Sequence, residues 1–176
     1  MTKSAKSDLV VRRIEKGTVI DHIASGQGLR ILEFLGVLDD FKKWGVMTGV
    51  PSPRYALVTG VPSPKRGGVK DIVKVANRLL TPEEISLVAL ISPEATINVI
   101  ENYKLVQKYK VELPETFKGI KGISCPNPNC VTNFETSVPS EFKVESREES
   151  ASIRCVFCER VFLATQVITH KRWKKH

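Results

Sequence analysis

The sequence predicts an α+β chain, with an N-terminal sandwich of the βαββαβ type followed by a small all-β domain built around cysteines. Segments rich in β-branched residues alternate with two helical patterns in the first half, and all four cysteines fall in the second half. Between the halves, residues 112–119 read ELPETFKG, the composition of a connector. We therefore expect domains at 1–111 and 120–170, joined by that connector, and a basic tail at 171–176.

The first domain is expected to begin with strands and a short helix. DLVVRRI (8–14) and GTVIDHI (17–23) are rich in β-branched residues and are separated by a turn at Lys16-Gly17. Apolar residues then recur at roughly helical spacing, which predicts an amphipathic helix over 26–36. These residues are Leu29, Ile31, Leu32, Leu35 and Val37.

A duplicated segment follows, because VMTGVPSP at 46–53 is echoed by LVTGVPSP at 57–64. A copy this short does not indicate a repeat fold. We predict a hairpin of two similar strands, each ended by its Pro-Ser-Pro, since proline cannot continue a hydrogen-bonded ladder.

The rest of the first domain predicts a strand, a helix and further strand. KDIVKVAN (70–77) is typical of a strand. TPEE (81–84) combines an N-cap threonine, a proline at the first helical position and a capping-box glutamate, so a helix is expected to run to about Ile91. Residues 95–111 alternate well enough for one long strand or a hairpin. This order fits a ferredoxin-like βαββαβ sandwich with its helices on one sheet face.

The charge distribution bears on possible partners. The chain has a formal net charge of +8, but residues 114–170 hold 6 Lys and Arg against 7 Asp and Glu. Nucleic-acid binding requires clustered basic residues, and only the tail HKRWKKH supplies them. This tail is either a solvated chain end or a phosphate contact. No long apolar run or signal-peptide pattern is present, so we expect no membrane association and a cytoplasmic location.

The cysteines have the spacing of a metal site: C-x4-C at Cys125 and Cys130, then C-x2-C at Cys155 and Cys158. Two such loops from separate hairpins converge on a tetrahedral ion, and a cytosolic chain favours one structural Zn²⁺ over disulfides or redox cysteines. Strands are expected around FKVES, SIRCVFC and RVFLA. With four protein ligands, no position remains for an activated water.

No catalytic motif is evident. The sequence contains no GxSxG, HExxH, P-loop or dinucleotide glycine pattern. Asp21 stands beside His22, but neighbours in a strand point to opposite faces, so we expect them not to form an acid–base pair. The chain is predicted not to be an enzyme.

Several motifs together resemble a known family. GTVIDHI, KDIVKVAN, SPEATINVIENYKLVQK, CPNPNC and CVFC follow one another as in the regulatory chain of aspartate carbamoyltransferase, over roughly residues 10–46 and 67–165. The resemblance implies a nucleotide-binding domain and a zinc domain in a chain without catalytic activity. It implies that the chain dimerises with itself, docks on catalytic chains and relays CTP or ATP binding to the committed step of pyrimidine biosynthesis.

The resemblance also implies a nucleotide site. Its base and ribose contacts fall on Val11, Ile14, Val19, Asp21, His22, Asn98, Ile100, Tyr103 and Leu105; its ribose and phosphate contacts fall on Lys70, Lys74 and Lys108, with Ile72 between the first two lysines. On a strand, Lys70, Ile72 and Lys74 share one face, which suits a triphosphate as well as an ordinary solvated surface. The 47–66 segment and the tail beyond about residue 166 look longer than is usual in the family. The alternative function is a zinc-ribbon protein that binds nucleic acid.

Overall fold

A computed structural model describes residues 13–37, 55–64, 68–120, 122–147 and 151–168. Within these ranges the first half forms an antiparallel sheet of five strands in the order β2-β3-β1-β4-β5. The order of β2, β3, β1 and β4 is the ferredoxin-like one, and β5 adds an edge strand, so the predicted α+β class is confirmed. The elements are β1 (Gly17–Ala24), α1 (Gly28–Phe34), β2 (Tyr55–Ser63), β3 (Gly68–Ala76), α2 (Pro82–Ile91), β4 (Thr96–Glu101) and β5 (Lys104–Lys110).

One face of this sheet carries the core. Along β3, Asp71, Val73 and Val75 are buried, whereas the residues between them are only half-buried. Ile20 pairs with Val73 on one side and Ile97 on the other, so these three side chains share the buried face. The helix residues in the same apolar cluster include Ile31, Leu32, Leu87, Val88, Leu90 and Ile91. The opposite face of the sheet, called the open face below, is partly exposed.

Helix α2 begins at the residues that the sequence predicted. The Glu84 backbone N–H donates to Thr81 Oγ1 at 3.3 Å, and the Thr81 N–H donates to the Glu84 carboxylate at 3.0 Å, which is a capping box. Arg78 pairs with the same carboxylate and donates to the Leu35 carbonyl at 2.9 Å. The cap therefore also links the start of α2 to the end of α1.

The end of α2 is buried on all sides. Five successive residues, 87–91, are buried, and a helix that buries every face needs cover beyond a single sheet. Part of that cover is a short 3₁₀ turn, Ala164–Gln166, which belongs to the second half of the chain and contacts α2. The two halves thus meet at this helix.

Residues 95–111 form the hairpin alternative rather than one long strand. Strands β4 and β5 pair in antiparallel register, and Asn102 and Tyr103 connect them with φ of 49° and 61°. Two successive residues with positive φ are typical of a type I′ turn, whose twist matches that of the flanking strands. A tyrosine in this conformation is unusual and is placed at the exposed tip of the hairpin.

Strand β2 ends within its Pro-Ser-Pro, as predicted, but the first proline does not stop it. The strand continues through Pro62, which pairs with Val69, to Ser63, which pairs with Gly68. Among the described strands β2 lies at the sheet edge, where a missing N–H costs no ladder hydrogen bond. Its partner is β3, and the other predicted strand of the hairpin, 46–53, lies outside the described residues.

The second half forms a four-stranded antiparallel sheet in the order β6-β7-β8-β9. Its strands are β6 (Thr116–Lys118), β7 (Glu141–Ser146), β8 (Ser152–Cys155) and β9 (Val161–Leu163), and a 3₁₀ turn spans Val131–Asn133. The last three are the strands predicted from the sequence, whereas β6 falls inside the predicted connector 112–119. The buried side chains of Phe117, Phe142 and Ile153 form the centre of this small sheet. Across the described ranges, no helix has the length and apolar character needed to span a bilayer.

Candidate metal centre and open sheet face

Four cysteines from two loops of the second sheet come together. Their Sγ atoms all lie within 4.8 Å of one another. The distance from Cys125 Sγ to Cys158 Sγ is 3.6 Å, and that from Cys130 Sγ to Cys155 Sγ is 3.8 Å. A tetrahedral ion with metal–sulfur bonds of about 2.3 Å needs sulfurs roughly 3.8 Å apart, whereas a disulfide holds them at about 2.05 Å. All four cysteines are free thiols, and their arrangement fits one four-coordinate metal.

Protein N–H groups point at the sulfurs in both loops. The Asn127 backbone N–H donates to the Cys125 sulfur, and the Arg160 backbone N–H donates to the Cys158 sulfur. These donors stabilise thiolates, the form that binds a metal. Each loop therefore supplies a backbone donor to one of its sulfur ligands.

The thiols differ in acidity. Burial raises the pKa of Cys125 and of Cys155. Burial also acts to raise the pKa of Cys158, but the Arg160 N–H, the Asn127 side chain and the neighbouring thiols outweigh it and lower the value to about 7. Buried thiolates need a compensating cation, so the site is suited to a divalent ion rather than to four neutral thiols.

The asparagines of the first loop have different tasks. Asn127 is buried; its Oδ1 accepts the Asn129 N–H at 3.2 Å, and its carbonyl accepts the Cys130 N–H at 3.0 Å. The Asn133 side chain donates to the carbonyls of Cys125 and Asn127, at 3.0 and 2.7 Å. Asn127 and Asn133 thus stabilise the loop between Cys125 and Cys130, whereas Asn129 is exposed.

Both metal-binding loops carry exposed apolar side chains. Phe134, just after Cys130, is 69% exposed, and Phe157, between Cys155 and Cys158, is 42% exposed. Val131, Val156 and Val161 beside them are also exposed. Exposed apolar side chains of this size are typical of contact surfaces.

On the open face of the first sheet, two lysines stand at the ends of a row of four side chains. Val19 pairs with Lys74 on β3 and with Asn98 on β4, and Asn98 in turn pairs with Lys108 on β5. Residues paired directly across an antiparallel ladder point to the same face, so all four side chains form one row. The lysines stand roughly 14 Å apart at the backbone, with the shorter Val19 and Asn98 between them. Burial lowers the pKa of Lys74.

A bulge in β1 brings Asp21 and His22 together, and our expectation that they point apart is wrong. The ladder to β3 shifts register between Ile20 and Ile23, and His22 adopts φ of 59°. His22 Nδ1 consequently lies 3.3 Å from Asp21 Oδ2, and its backbone N–H donates to Asp21 Oδ1 at 2.7 Å. The period-two rule assumes an unbroken strand, and a bulge removes that assumption.

Lys70 completes this group. Its Nζ lies 2.7 Å from Asp21 Oδ1, and both side chains are largely buried. Burial alone raises the pKa of Asp21, but the Lys70 hydrogen bond, the His22 N–H and the positive charges of both residues lower it below its ordinary value. Asp21 is therefore an ionised carboxylate at neutral pH, held between a lysine and a histidine.

The apolar members of the predicted site lie toward one end of the open face. Ile100 pairs with Leu105, which is 54% exposed, and Tyr103 sits in the turn between them. The Tyr103 N–H donates to the Glu15 carbonyl at 2.9 Å, which brings the segment containing Ile14 next to the hairpin. Ile72 lies between Lys70 and Lys74, half-buried, and the predicted residue Val11 lies outside the described residues.

A cavity of about 440 Å³ lies elsewhere, between the end of α2 and the second sheet. Ser92, Glu94, Arg147 and Leu163 are among its lining residues, and none of the residues predicted for the nucleotide site lines it. The row that contains Lys74 and Lys108 therefore lies on the open face, which is a sheet surface, and not in this cavity.

Sequence reasoning missed Asp71, which lies directly between Lys70 and Ile72. Asp71 is fully buried, and its carboxylate accepts three backbone N–H groups. The sequence of β3 contained a signal for this residue. Side chains alternate between the two faces of a strand, so Asp71 had to lie on the same face as Val73 and Val75. A carboxylate on an apolar face has to find donors there.

Comparisons with known proteins address the whole chain. The model of the aspartate carbamoyltransferase regulatory chain, allosteric domain, matches residues 9–112, and that of the same chain's metal-binding domain matches residues 115–168. The chain belongs to the aspartate carbamoyltransferase regulatory chain family. The five-stranded sheet falls within the allosteric-domain match, and the cysteine cluster falls within the metal-binding match.

Curated relatives carry the same description. Regulatory chains of aspartate carbamoyltransferase from Thermococcus gammatolerans, Pyrococcus horikoshii and Methanosarcina barkeri are 44%, 42% and 41% identical to this chain. The matches cover 92%, 93% and 89% of this chain and 97%, 98% and 92% of those relatives. The chain is thus a regulatory, non-catalytic one, which confirms the prediction that it is not an enzyme, and the nucleic-acid-binding alternative is not favoured.

Proposed function

We propose that this regulatory chain binds CTP and ATP on the open face of its first sheet, carries one structural zinc ion, and docks on the catalytic chains of aspartate carbamoyltransferase. The observation that carries the proposal is the row in which Lys74 and Lys108 flank Val19 and Asn98. A flat apolar and amide floor between two ammonium groups suits a nucleoside triphosphate whose base lies on the sheet.

Within this proposal the groups divide by chemistry. Lys74 and Lys108 act as point charges toward phosphate oxygens, which leaves the choice between cytosine and adenine to other residues. Asp21 and His22 offer an acceptor and an imidazole to sugar hydroxyls or base edges. The base would rest against Ile14, Ile100, Tyr103 and Leu105, with Val11 assigned from the family motif alone. Lys70 acts both as a partner of Asp21 and as a second charge near the ribose.

Zinc is the metal that these ligands suit best. Four thiolates form a soft, closed tetrahedral set, which selects zinc or an iron–sulfur centre over oxygen-preferring cations. The second sheet has a small apolar centre and depends on a cross-link for its stability. Bound here, zinc would supply that cross-link, and the N–H donors of both loops would orient and stabilise the ligands.

Docking is assigned to the metal-binding domain because both of its cysteine loops carry exposed phenylalanine side chains. Phe134 and Phe157 lie beside cysteines of different loops, so the metal would fix their spacing. Exposed aromatic residues on a rigid frame are typical anchors of protein interfaces. The charge of residues 114–170 is nearly balanced, which favours a protein partner over nucleic acid.

Self-association is assigned to the first domain. Its described sheet ends in the edge strands β2 and β5, and an exposed edge is a ready template for pairing with a second copy. We place the resulting assembly in the cytoplasm, in pyrimidine biosynthesis, as the family resemblance implies.

Phe134→Glu tests the docking surface. We expect its affinity for the catalytic chain to fall by at least about 30-fold, roughly 2 kcal/mol, because a charge replaces an apolar anchor. Co-elution on a sizing column and calorimetric titration measure this loss. Leu79→Glu is the matched control, since Leu79 is 54% exposed but lies in the first domain. Wild-type affinity of Phe134→Glu would contradict the assignment.

A further inference from the structure

Asp71 occupies an unusual position in β3. It is fully buried on the helix-facing side of the sheet, and its two neighbours in the strand, Lys70 and Ile72, point to the open face. Its Oδ2 accepts the Gly26 N–H at 2.8 Å and the Gly28 N–H at 3.1 Å, and its Oδ1 accepts the Gly60 N–H at 3.3 Å. One carboxylate thus binds three separate stretches of backbone.

The three donors belong to elements on both sides of β3. Gly26 follows β1 in the turn that leads to α1, with φ of 82°, and Gly60 lies within β2, with φ of 69°. Both conformations favour glycine. At Gly28 an added Cβ would crowd Leu57 Cδ1 and would lie 3.1 Å from Asp71 Cβ, so glycine allows the close approach without displacing either side chain. The surrounding chain is therefore built around this carboxylate.

The strands on either side of β3 both bulge at the level of Asp71. On β1 the register shifts between Ile20, which pairs with Val73, and Ile23, which pairs with Asp71. On β2 it shifts between residues 58 and 61, which pair with residues 72 and 70 of β3. The β1 bulge lies opposite residues 71–73 and the β2 bulge lies opposite residues 70–72, so both include Asp71. Asp71 accepts one N–H from within the β2 bulge, one from the turn after β1 and one from the first residue of α1.

The β1 bulge has a direct consequence on the other face of the sheet. It places His22 at positive φ, joins His22 to Asp21, and sets Asp21 Oδ1 at 2.7 Å from Lys70 Nζ. The turn that follows this stretch of β1 is held from the helix side of the sheet by the Asp71 carboxylate, through the N–H groups of Gly26 and Gly28. Fixing a turn on one face therefore fixes the positions of charged groups on the other.

We infer that Asp71 is a positioning residue for the nucleotide site: from the helix side of the sheet it holds the β2 bulge and the turn that follows the β1 bulge, and so sets the geometry of Asp21, His22 and Lys70. The inference rests on the proposed function for its role in nucleotide binding. Asp71 itself touches no nucleotide, because its side chain lies on the opposite face.

The chemistry requires a carboxylate at this position. An ionised carboxylate has two oxygens and only accepts hydrogen bonds, so it can serve three N–H donors. An asparagine of the same shape has one oxygen and one NH₂ group, and the NH₂ would face an N–H donor. Asp71→Asn therefore weakens the hold on either the β2 bulge or the turn after β1, without leaving a void.

Asp71→Asn is compared with Val88→Ala, a fully buried position in α2 whose truncation lowers stability without touching either bulge. All proteins are measured well below their melting temperatures. We expect Asp71→Asn to bind CTP about tenfold more weakly by calorimetry, and Val88→Ala to bind it as wild type does. Equal CTP affinity of Asp71→Asn and wild type would overturn the inference.

A second readout needs no nucleotide. The titration of the His22 imidazole is followed by NMR. The chain has 3 histidines, so the spectrum of His22→Gln identifies which signal belongs to His22. Asp71→Asn is expected to shift the titration midpoint, and Val88→Ala is expected to leave it in place. If wild type binds no CTP, the proposed function fails, but this titration still decides the role of Asp71; an unmoved midpoint contradicts it.

Gly60→Ala covers the case in which Asp71→Asn does not fold. No atom lies within 4 Å of the Cβ that it adds, and only the positive φ is disfavoured, so the variant perturbs the β2 bulge alone. We expect a roughly threefold loss of CTP affinity and a smaller shift of the His22 midpoint. Wild-type values in both measurements would overturn the inference.

Discussion

Removing the metal is expected to unfold the second sheet and leave the first sheet folded. The second sheet is centred on a few buried side chains, such as Phe117, Phe142 and Ile153, whereas binding of a structural zinc ion contributes on the order of 10–16 kcal/mol in small domains. We expect one zinc ion per chain by metal analysis. A strong chelator should then abolish hydrogen-exchange protection in residues 116–168 and keep it in β1, β3 and β4.

Cysteine variants sharpen this test. Cys155→Ser should reproduce the effect of the chelator, because serine does not replace a buried thiolate ligand. Cys158→His is the control: Cys158 is the least buried of the four ligands, and a Cys₃His set also binds zinc. Because α2 contacts the Ala164–Gln166 turn, the first sheet should melt at a modestly lower temperature once that cover is lost. A metal-free chain whose second sheet stays protected would contradict the account.

Replacing both open-face lysines, in Lys74→Ala/Lys108→Ala, is expected to weaken CTP binding by at least about 100-fold. A hydrogen bond to a charged group contributes about 1.5–3 kcal/mol, and two are lost here. Wild type should gain about 2.7 kcal/mol of stability at a CTP concentration of one hundred times Kd, and the double variant should gain almost none. Thermal melts with and without CTP measure both effects.

Lys118→Ala is the matched control for charge. Lys118 is exposed, forms an ion pair with Glu141 at 3.0 Å, and lies in the second sheet. Its removal lowers the net charge of the chain by one without changing the open face, so CTP affinity should stay at the wild-type value. A double variant that binds CTP as well as Lys118→Ala does would exclude the open face as the phosphate site.

Much of the fold was predictable because local rules held in long, regular segments. Thr81, Pro82 and Glu84 form the predicted start of α2, and the alternation of Lys70, Ile72 and Lys74 places these residues on one face. These signals act within a few residues of the chain. They need no knowledge of the neighbouring strands.

The errors arise where a neighbouring strand decides the local structure. Nothing in GTVIDHI indicates a bulge, because the bulge is a feature of the register with β3. Pro62 could stay in a strand only because β2 lies at the edge of the described sheet. The order of strands in a sheet is a long-range property, so spacing along the chain could not predict either outcome.

The same distinction between local and long-range signals applies to the metal centre and to the open face. The cluster of four cysteines was predictable in full, since two short cysteine loops carry their own geometry. The groups that support them were not, because Asn133 and the backbone N–H of Arg160 reach the loops only in the folded domain. On the open face, the residues of the nucleotide site stay a prediction from family motifs, and the strand register gives their mutual arrangement.

The central claim is that nucleotide binding to this chain controls a catalytic partner, and reconstitution tests it most directly. The purified chain is mixed with the aspartate carbamoyltransferase catalytic chain of the same organism, and aspartate saturation is measured with and without CTP or ATP. We expect a stable complex whose half-saturating aspartate concentration shifts with nucleotide, through a coupling free energy of about 1–3 kcal/mol. A complex that forms but shows the same aspartate saturation with and without either nucleotide would contradict the claim.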